Sequence, residues 1–225
     1  MSVVAPALPA RAERLWAALL ATTLMNLPLG SVYSFSVLLR PIEHELAIPR
    51  SALSLVFGLA TAGFTVGSVG AAFLYRVASA PTLVFLCALV ASAGLALAAT
   101  ATGLAQLLVG YGVVFGTGGG VSYILLQQGV NMLVRRHRGL VNGYIVALYP
   151  MGAMIATPAF HACNEAFGWR TTLGALATVL VACGVMAALL TKHSGTRLAV
   201  PKTSDSAERG TASSCSIGRS STLKE

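Results

Sequence analysis

Three stretches of otherwise apolar sequence carry polar side chains that repeat at helical spacing. The sets are Asn26, Gly30 and Tyr33; Tyr123, Gln127 and Asn131; and Asn142 with Tyr149. Residues spaced by four, seven or eight positions share one face of a helix. Their amides and phenols can hydrogen-bond a small solute, and their rings can pack against one. The pattern predicts that these faces surround a wet or substrate-bearing space. A simpler reading is that the amides and hydroxyls bond only across helices, at about 1 kcal/mol each.

The same segments lack the groups that most membrane chemistry requires. No Asp, Glu, Lys or Arg interrupts the runs 15–39, 51–75, 77–134, 139–164 and 171–191, although proton relays and ion sites in membranes are usually built from such residues. The GTGGG at 116–120 follows no strand, and no metal-ligand spacing or nucleophile with a nearby base occurs. The sequence therefore predicts no enzyme, no metal and no cofactor.

Composition indicates that these segments lie in a lipid bilayer. Hydrophobic residues make up 56% of the chain and charged residues 10%, and the mean hydropathy is +0.76. A bilayer core of about 30 Å needs about 20 helical residues, so four of the uncharged runs are single spans. The run 77–134 is too long for one helix, and ATATGLAQ at 99–106 offers a turn within it. We expect an all-α, polytopic bundle of six transmembrane helices.

The basic residues predict the orientation of this bundle, because Lys and Arg in short loops remain cytoplasmic. With the N-terminus inside, the outer loops hold only Arg40, Arg50 and Arg170. The inner segments then hold Arg11, Arg14, Arg76, Arg135, Arg136, Arg138, Lys192, Arg197, Lys202 and Arg209. Both termini are therefore expected in the cytoplasm. The membrane that holds the protein is expected to be the plasma membrane or an internal membrane. The net charge of +8 follows from this asymmetry and from attraction to anionic lipid, and no nucleic-acid partner is expected.

Three regions follow from the pattern of composition. Residues 1–13 form a cytoplasmic N-terminal arm, 14–191 the six-helix half-domain, and 192–225 a basic tail rich in Ser and Thr. The tail has almost no large apolar residues and is predicted to be disordered. Within the half-domain, small residues recur at four-residue intervals and predict close helix packing. These are Gly63 and Gly67 in the second span, and Gly112, Gly116 and Gly120 in the fourth.

Several motifs together resemble the N-terminal half of a Major Facilitator Superfamily carrier, most of all the oxalate/formate antiporter group and its monocarboxylate-transporter relatives. They are GSVYSFSVLLRPIEHEL, PRSALSLVFGLATAGFTVG, YGVVFGTGGGVSY, RRHRGLVNG and FGWR, in that order along the chain. The resemblance implies a half-fold of two three-helix repeats. It also implies alternating-access transport of a small organic anion, such as a monocarboxylate or dicarboxylate.

The resemblance assigns Tyr33 and Tyr123 to the aromatic part of a substrate site, and spacing adds Asn26, Gln127 and Tyr149. It places gating functions in the cytoplasmic loops, at Arg76, Arg135, Arg136, Arg138 and Gly139. Two departures affect those loops. Tyr75 stands where the family has an aspartate, and Leu133, Val134 and Arg135 replace the usual Trp, Phe and Pro.

A six-helix half cannot by itself enclose a path that lies between two halves. Three hypotheses remain open from the sequence. The chain is part of a small-solute carrier that pairs with a second six-helix half, supplied by the same polypeptide, a second copy or another protein. Alternatively, it is a truncated or degenerate non-transporting protein that pairs with a carrier or regulates it. The least favoured hypothesis is an unrecognised membrane enzyme.

Overall fold

The computed structural model describes residues 11–74, 79–134 and 138–194. Over these ranges the chain is helical and contains no strand. Five helical segments in the described part are long and apolar enough to cross a membrane. They are Ala12–Leu46, Arg50–Leu74, Ala80–Ala99, Leu104–Leu133 and Arg138–Ser194. The chain therefore forms a bundle of apolar membrane-spanning helices.

The first segment changes helix type near its middle. Helix α1 (Arg11–Gly30) leads into a 3₁₀ turn (Ser31–Ser34), and α2 (Phe35–Leu46) continues the segment. Pro28 lies in the last turn of α1 and has no N–H to donate to the preceding turn. The segment ends at Ala47, whose φ of 51° lies in the left-handed region, and the chain then reverses into α3 (Arg50–Leu74).

The next segments surround the predicted turn at 99–106. Helix α4 (Ala80–Ala99) ends at the start of that turn, and α5 (Leu104–Leu107) begins within it. An eight-residue π-helix (Leu108–Phe115) joins α5 to α6 (Gly116–Leu133). The wider turns of a π-helix are rare and often occur at functional sites. Here they pack tightly against α4, since a Cβ on Gly94 would lie 2.5 Å from the backbone nitrogen of Phe115.

Helix α7 (Arg138–Ser194) explains why five segments are observed where six spans are predicted. Its 57 residues include one position with non-helical backbone angles, Gly168, where φ is 81° and ψ is 166°. This region of backbone space is open essentially to glycine alone. Two helices meet at this kink without an intervening loop, so the fifth and sixth predicted spans follow each other directly within α7.

The described helices also extend slightly beyond the predicted domain boundaries. Helix α1 begins at Arg11, inside the predicted arm 1–13, and α7 continues to Ser194, inside the predicted tail 192–225. Residues 1–10 and 195–225, which hold the rest of the arm and tail, lie outside the described ranges.

Polar side chains connect three helix ends at the corner that follows Gly168. Trp169 donates a hydrogen bond from Nε1 to the carboxylate of Glu45, and Arg170 Nε donates to the same carboxylate over 2.9 Å. Arg170 also donates to the carbonyl oxygen of Ala99 over 3.1 Å, and its guanidinium lies 4.4 Å from the centre of the Trp169 ring. This cluster ties the ends of α2 and α4 to the second part of α7.

Candidate functional site

Aromatic rings from four helical segments meet in one cluster. Tyr149 of α7 lies at its centre, with ring centroids 6.4 Å from Tyr33, 5.2 Å from Tyr123 and 5.6 Å from Phe64. Phe64 also lies 5.6 Å from Tyr123. These separations fall in the range that edge-to-face and tilted aromatic pairs prefer. We call Tyr33, Phe64, Tyr123 and Tyr149 the aromatic cluster.

The cluster presents both rings and hydroxyl groups to the surface. Tyr33 is 54% exposed, whereas Tyr149 is 7% exposed; Phe64 and Tyr123 are half-buried. None of the three tyrosine hydroxyls is hydrogen-bonded to another residue in the described part of the chain. Because a phenol can both donate and accept, the cluster offers free hydrogen-bonding capacity next to flat apolar surface.

Two clefts approach the cluster from opposite ends of the bundle. The larger has a volume of about 580 Å³ and is lined by Asn142, Val146 and Pro150 together with all four rings. The smaller has a volume of about 250 Å³ and is lined by Ser36, Ser54 and Phe57 together with Tyr33. We call them the Asn142 cleft and the Phe57 cleft. The first lies toward the Arg138 end of α7, and the second toward the Arg50 end of α3.

Electrostatically, both clefts are neutral. Among the described residues that line them, none carries a charged side chain. Nor do the described ranges hold a group of three or more His, Cys, Asp or Glu residues arranged to bind a metal ion. The arrangement can hold a small solute through ring contacts and hydrogen bonds.

The structure brings together only part of the predicted binding face. Tyr33, Tyr123 and Tyr149 lie in the cluster, whereas Asn26 is fully buried and Gln127 is half-buried, and neither lines the two clefts. Both amide atoms of Asn26 lack a hydrogen-bond partner among the described residues. A binding function for these two residues stays a prediction.

The separation of Asn26 from Tyr33 has a local cause. Seven residues of regular α-helix return a side chain to nearly the same face, because each residue turns about 100°. Tyr33 itself lies in the 3₁₀ turn at Ser31–Ser34, where each residue turns about 120°. The extra rotation shifts the Tyr33 side chain away from the face that it would share with Asn26 on a regular α-helix.

Phe64 is a cluster residue that the polar pattern missed. The signal that identifies it is a weak internal repeat. The pattern G-x-x-Y occurs at Gly30–Tyr33 and again at Gly120–Tyr123, and an aromatic residue precedes glycine by three positions at Phe64 and again at Tyr149. Tyr33 thus corresponds to Tyr123, and Phe64 to Tyr149.

Backbone contacts follow the same repeat. A Cβ on Gly30 would overlap the carbonyl oxygen of Tyr149, and a Cβ on Gly120 would overlap that of Phe64. The reverse contacts match as well, since Gly152 meets the carbonyl of Leu27 and Gly67 meets that of Thr117. The first segment therefore packs on α7 as α6 packs on α3, with the glycines allowing backbones to touch.

The other glycines with a predicted packing function also lie between α3 and the fourth segment. A Cβ on Gly63 would lie 2.8 Å from the carbonyl oxygen of Gly112, and one on Gly116 would lie 2.5 Å from that of Ala60. A Cβ on Gly112 would lie 2.9 Å from Cδ2 of Leu59. These distances are too short for any residue with a side chain at its present position.

Comparison with known proteins identifies the family. The model of the Major Facilitator Superfamily matches residues 18–222, which is most of the chain. The chain belongs to the Major Facilitator Superfamily. It is also 24% identical over 139 residues to the uncharacterized MFS-type transporter YhjX of Escherichia coli strain K12. That alignment covers 62% of this chain and 35% of YhjX, so the chain spans about a third of the length of this relative.

Membership of the Major Facilitator Superfamily gives the site its general context. It supports an integral, multi-pass membrane protein of a transporter family. The apolar segments of the described chain agree with that setting.

Two of the five predicted gating residues, Arg138 and Gly139, lie within the described residues, at the start of α7. Arg76, Arg135 and Arg136 fall outside the described residues. Arg138 donates a hydrogen bond from Nε to the carbonyl oxygen of Val134 over 3.0 Å, and Gly139 is exposed, with no atom within 4 Å of the place a Cβ would take. A gating function for these residues stays a prediction.

Proposed function

We propose that the chain is one six-helix half of a small-solute carrier that works by alternating access. The observation that carries this proposal is the aromatic cluster, in which three tyrosines converge from three segments and their hydroxyls have no hydrogen-bond partner among the described residues. Tyr33 is exposed there although it lies within a membrane-spanning segment. An exposed phenol at this depth favours a water-filled or solute-filled space over contact with lipid.

Six spans are proposed because α7 is too long for one. A helix of its 57 residues would extend about 85 Å at 1.5 Å per residue, and a bilayer core is about 30 Å thick. Division at Gly168 gives two helices that each match the thickness of a membrane. With six spans both termini lie on one side, and the excess of basic residues in the inner loops favours the cytoplasm.

Two three-helix repeats account for the paired backbone contacts. If spans one, two and three correspond to spans four, five and six, the contact between spans one and five corresponds to that between spans four and two. The Gly30 and Gly120 contacts are related in this way, as are the Gly152 and Gly67 contacts. Internal repeats of this kind place a substrate site at the interface between units near the middle of the membrane.

A second six-helix half completes the site in this proposal. The Asn142 and Phe57 clefts are open, so a facing surface is needed to enclose a solute. That surface comes from the same polypeptide, a second copy or another protein. Blotting of native membranes under full denaturation distinguishes the first source from the other two, because a covalently continuous half shifts the band to about twice the 23.1 kDa of this chain.

The proposed substrate is a small organic anion, such as a monocarboxylate or dicarboxylate. This step rests on the resemblance to the oxalate/formate antiporter and monocarboxylate-transporter group. Because the described lining of the clefts is uncharged, the positive charge that balances the anion has to come from the second half. The phenols and rings of this half then contact the uncharged parts of the solute.

Uptake by proteoliposomes that contain the chain with its native partner tests this function. We expect uptake of radiolabelled oxalate, formate or lactate. Tyr33→Ala should reduce it about thirtyfold, since a ring contact and a hydrogen bond each contribute about 1 kcal/mol. Tyr33→Phe should retain the ring contribution only. Phe73→Ala is the matched control, because Phe73 is 73% exposed and lies outside the cluster. Equal uptake by Tyr33→Ala and Phe73→Ala would remove the cluster from the transport path.

A regulatory half that does not transport is the second candidate. The observation in its favour is Tyr75, which replaces the aspartate expected in the loop between the second and third spans. A regulatory half should change the uptake of a co-purified carrier while Tyr33→Ala, Tyr123→Ala and Tyr149→Ala leave that uptake unchanged. A transporting half should lose uptake in all three variants.

A further inference from the structure

The amide of Asn142 lines the Asn142 cleft and has no hydrogen-bond partner among the described residues. Its Oδ1 is buried and accepts no hydrogen bond within the described part of the chain, and its Nδ2 donates none there. Nδ2 is not among the buried atoms, so this donor is accessible at the wall of the cleft. An accessible amide N–H without a partner can donate to a molecule that occupies the cleft.

The surroundings of Asn142 are suited to a small molecule. The cleft volume of about 580 Å³ lies within the range of about 300–1,000 Å³ for small-molecule sites. Its lining combines the four rings of the aromatic cluster with a single amide. Sites of this type use apolar surface for affinity and a few polar groups for orientation.

The internal repeat shows what packing alone would place at this position. When Phe64 is matched with Tyr149 and Gly67 with Gly152, Phe57 corresponds to Asn142, and each is followed by a glycine. Phe57 packs against Tyr33 with ring centroids 6.4 Å apart. An apolar ring thus fills the equivalent position in the smaller cleft. The amide in the larger cleft is a departure from that pattern that packing does not require.

We propose that Asn142 is a solute-contacting residue that recognises a carboxyl group, an inference that rests on the proposed transport function. An amide carries a donor and an acceptor side by side. Its accessible Nδ2 can donate to a carboxylate oxygen, which only accepts. The rings of the cluster then pack against the remainder of the solute. Asn142 thereby sets the specificity for a carboxyl group in the Asn142 cleft, where the second repeat has an amide in place of the aromatic ring of Phe57.

Uptake kinetics with Asn142→Ala and Asn164→Ala test this assignment. Asn164 lies on the same helix and also has a buried Oδ1 without a partner, but it lines neither cleft. With oxalate and lactate as probes in proteoliposomes, Asn142→Ala should raise KM about tenfold or more, which matches the loss of a hydrogen bond to a charged group. Asn164→Ala should leave KM unchanged. An unchanged KM in Asn142→Ala, with uptake intact, overturns the assignment and leaves the transport function standing.

Cysteine labelling supplies a measurement that does not depend on transport. Asn142→Cys is introduced after the native cysteines at 87, 163, 183 and 215 have been replaced, and its reaction with N-ethylmaleimide is followed with and without oxalate or lactate. We expect reaction at position 142 and slower reaction when a probe is present. If the native chain takes up neither probe, protection still supports Asn142 as a carboxylate contact while the transport function fails. Absence of reaction, or reaction that neither probe slows, overturns the inference.

Discussion

Substitution of Gly116 by alanine should separate α3 from α6 and lower the stability of the bundle. The added Cβ would lie 2.5 Å from the carbonyl oxygen of Ala60 and 3.1 Å from its Cα. Ordinary contact begins at 3.4 Å, so the two backbones have to move apart by roughly 0.9 Å to relieve the carbonyl contact. Neither neighbour is the end of a flexible side chain, so the helices themselves must shift. Overpacking of this kind costs about 1–3 kcal/mol.

The matched control is Gly58→Ala on α3. Gly58 is exposed and helical, and no atom lies within 4 Å of its expected Cβ. Both substitutions share the gain of about 0.5–1 kcal/mol from replacing glycine by alanine in a helix. The difference between them therefore isolates the contact with Ala60.

Thermal unfolding in detergent measures that difference. For a chain of this size, 1 kcal/mol corresponds to about 2–4 °C in Tm. Gly116→Ala should melt several degrees below Gly58→Ala, and Gly58→Ala should melt at or above the native chain. Equal melting of the two variants would refute the close approach of α3 and α6 at this point.

Two further substitutions test the corner that follows the break in α7. Gly168→Ala should cost about 1–3 kcal/mol, because φ of 81° is strained for any residue with a Cβ, whereas Gly174→Ala, with open space around it, should be neutral; equal Tm values would contradict the break. Glu45→Gln should lower the free energy of unfolding by at most about 1 kcal/mol, since the pair with Arg170 is solvent-exposed. It should still exceed the effect of Glu43→Gln, whose carboxylate has one partner instead of two; denaturant midpoints that reverse this order would contradict the corner's contribution.

Composition and hydropathy were sufficient to predict the helical membrane class, but not where every segment ends, since Arg40 lies within α2 and not in a loop. In lipid, a chain with long uncharged runs has to satisfy its backbone hydrogen bonds internally, which an α-helix does. The turn between α4 and α5 also falls inside the predicted interval 99–106. The sequence predicts a division between the fifth and sixth spans near FGWR, but it does not predict the conformation of the chain at that point. There the two helices meet at a single glycine, Gly168, with no loop between them.

The candidate site was only partly predictable for a geometric reason. Spacing rules assume a regular helix, and they placed Asn26 beside Tyr33. The 3₁₀ turn changes the rotation per residue within the first segment, so the face drawn through Asn26 and Tyr33 on an ideal helix does not persist. Tyr123 and Tyr149 lie on different helices, so no spacing rule relates them. Their rings meet only through the packing of those helices.

Symmetry in the backbone and asymmetry in the lining together indicate where the chemistry of the site resides. Helices touch through matching glycines, and that packing requires only small residues at corresponding places. At the lining positions the repeat diverges, since Asn142 replaces the phenyl ring of Phe57 and Tyr149 adds a hydroxyl to the position of Phe64. Both changes add hydrogen-bonding groups to the larger cleft. The two clefts therefore differ at this pair of positions, with an amide toward the Arg138 end of the bundle and an apolar ring toward the Arg50 end.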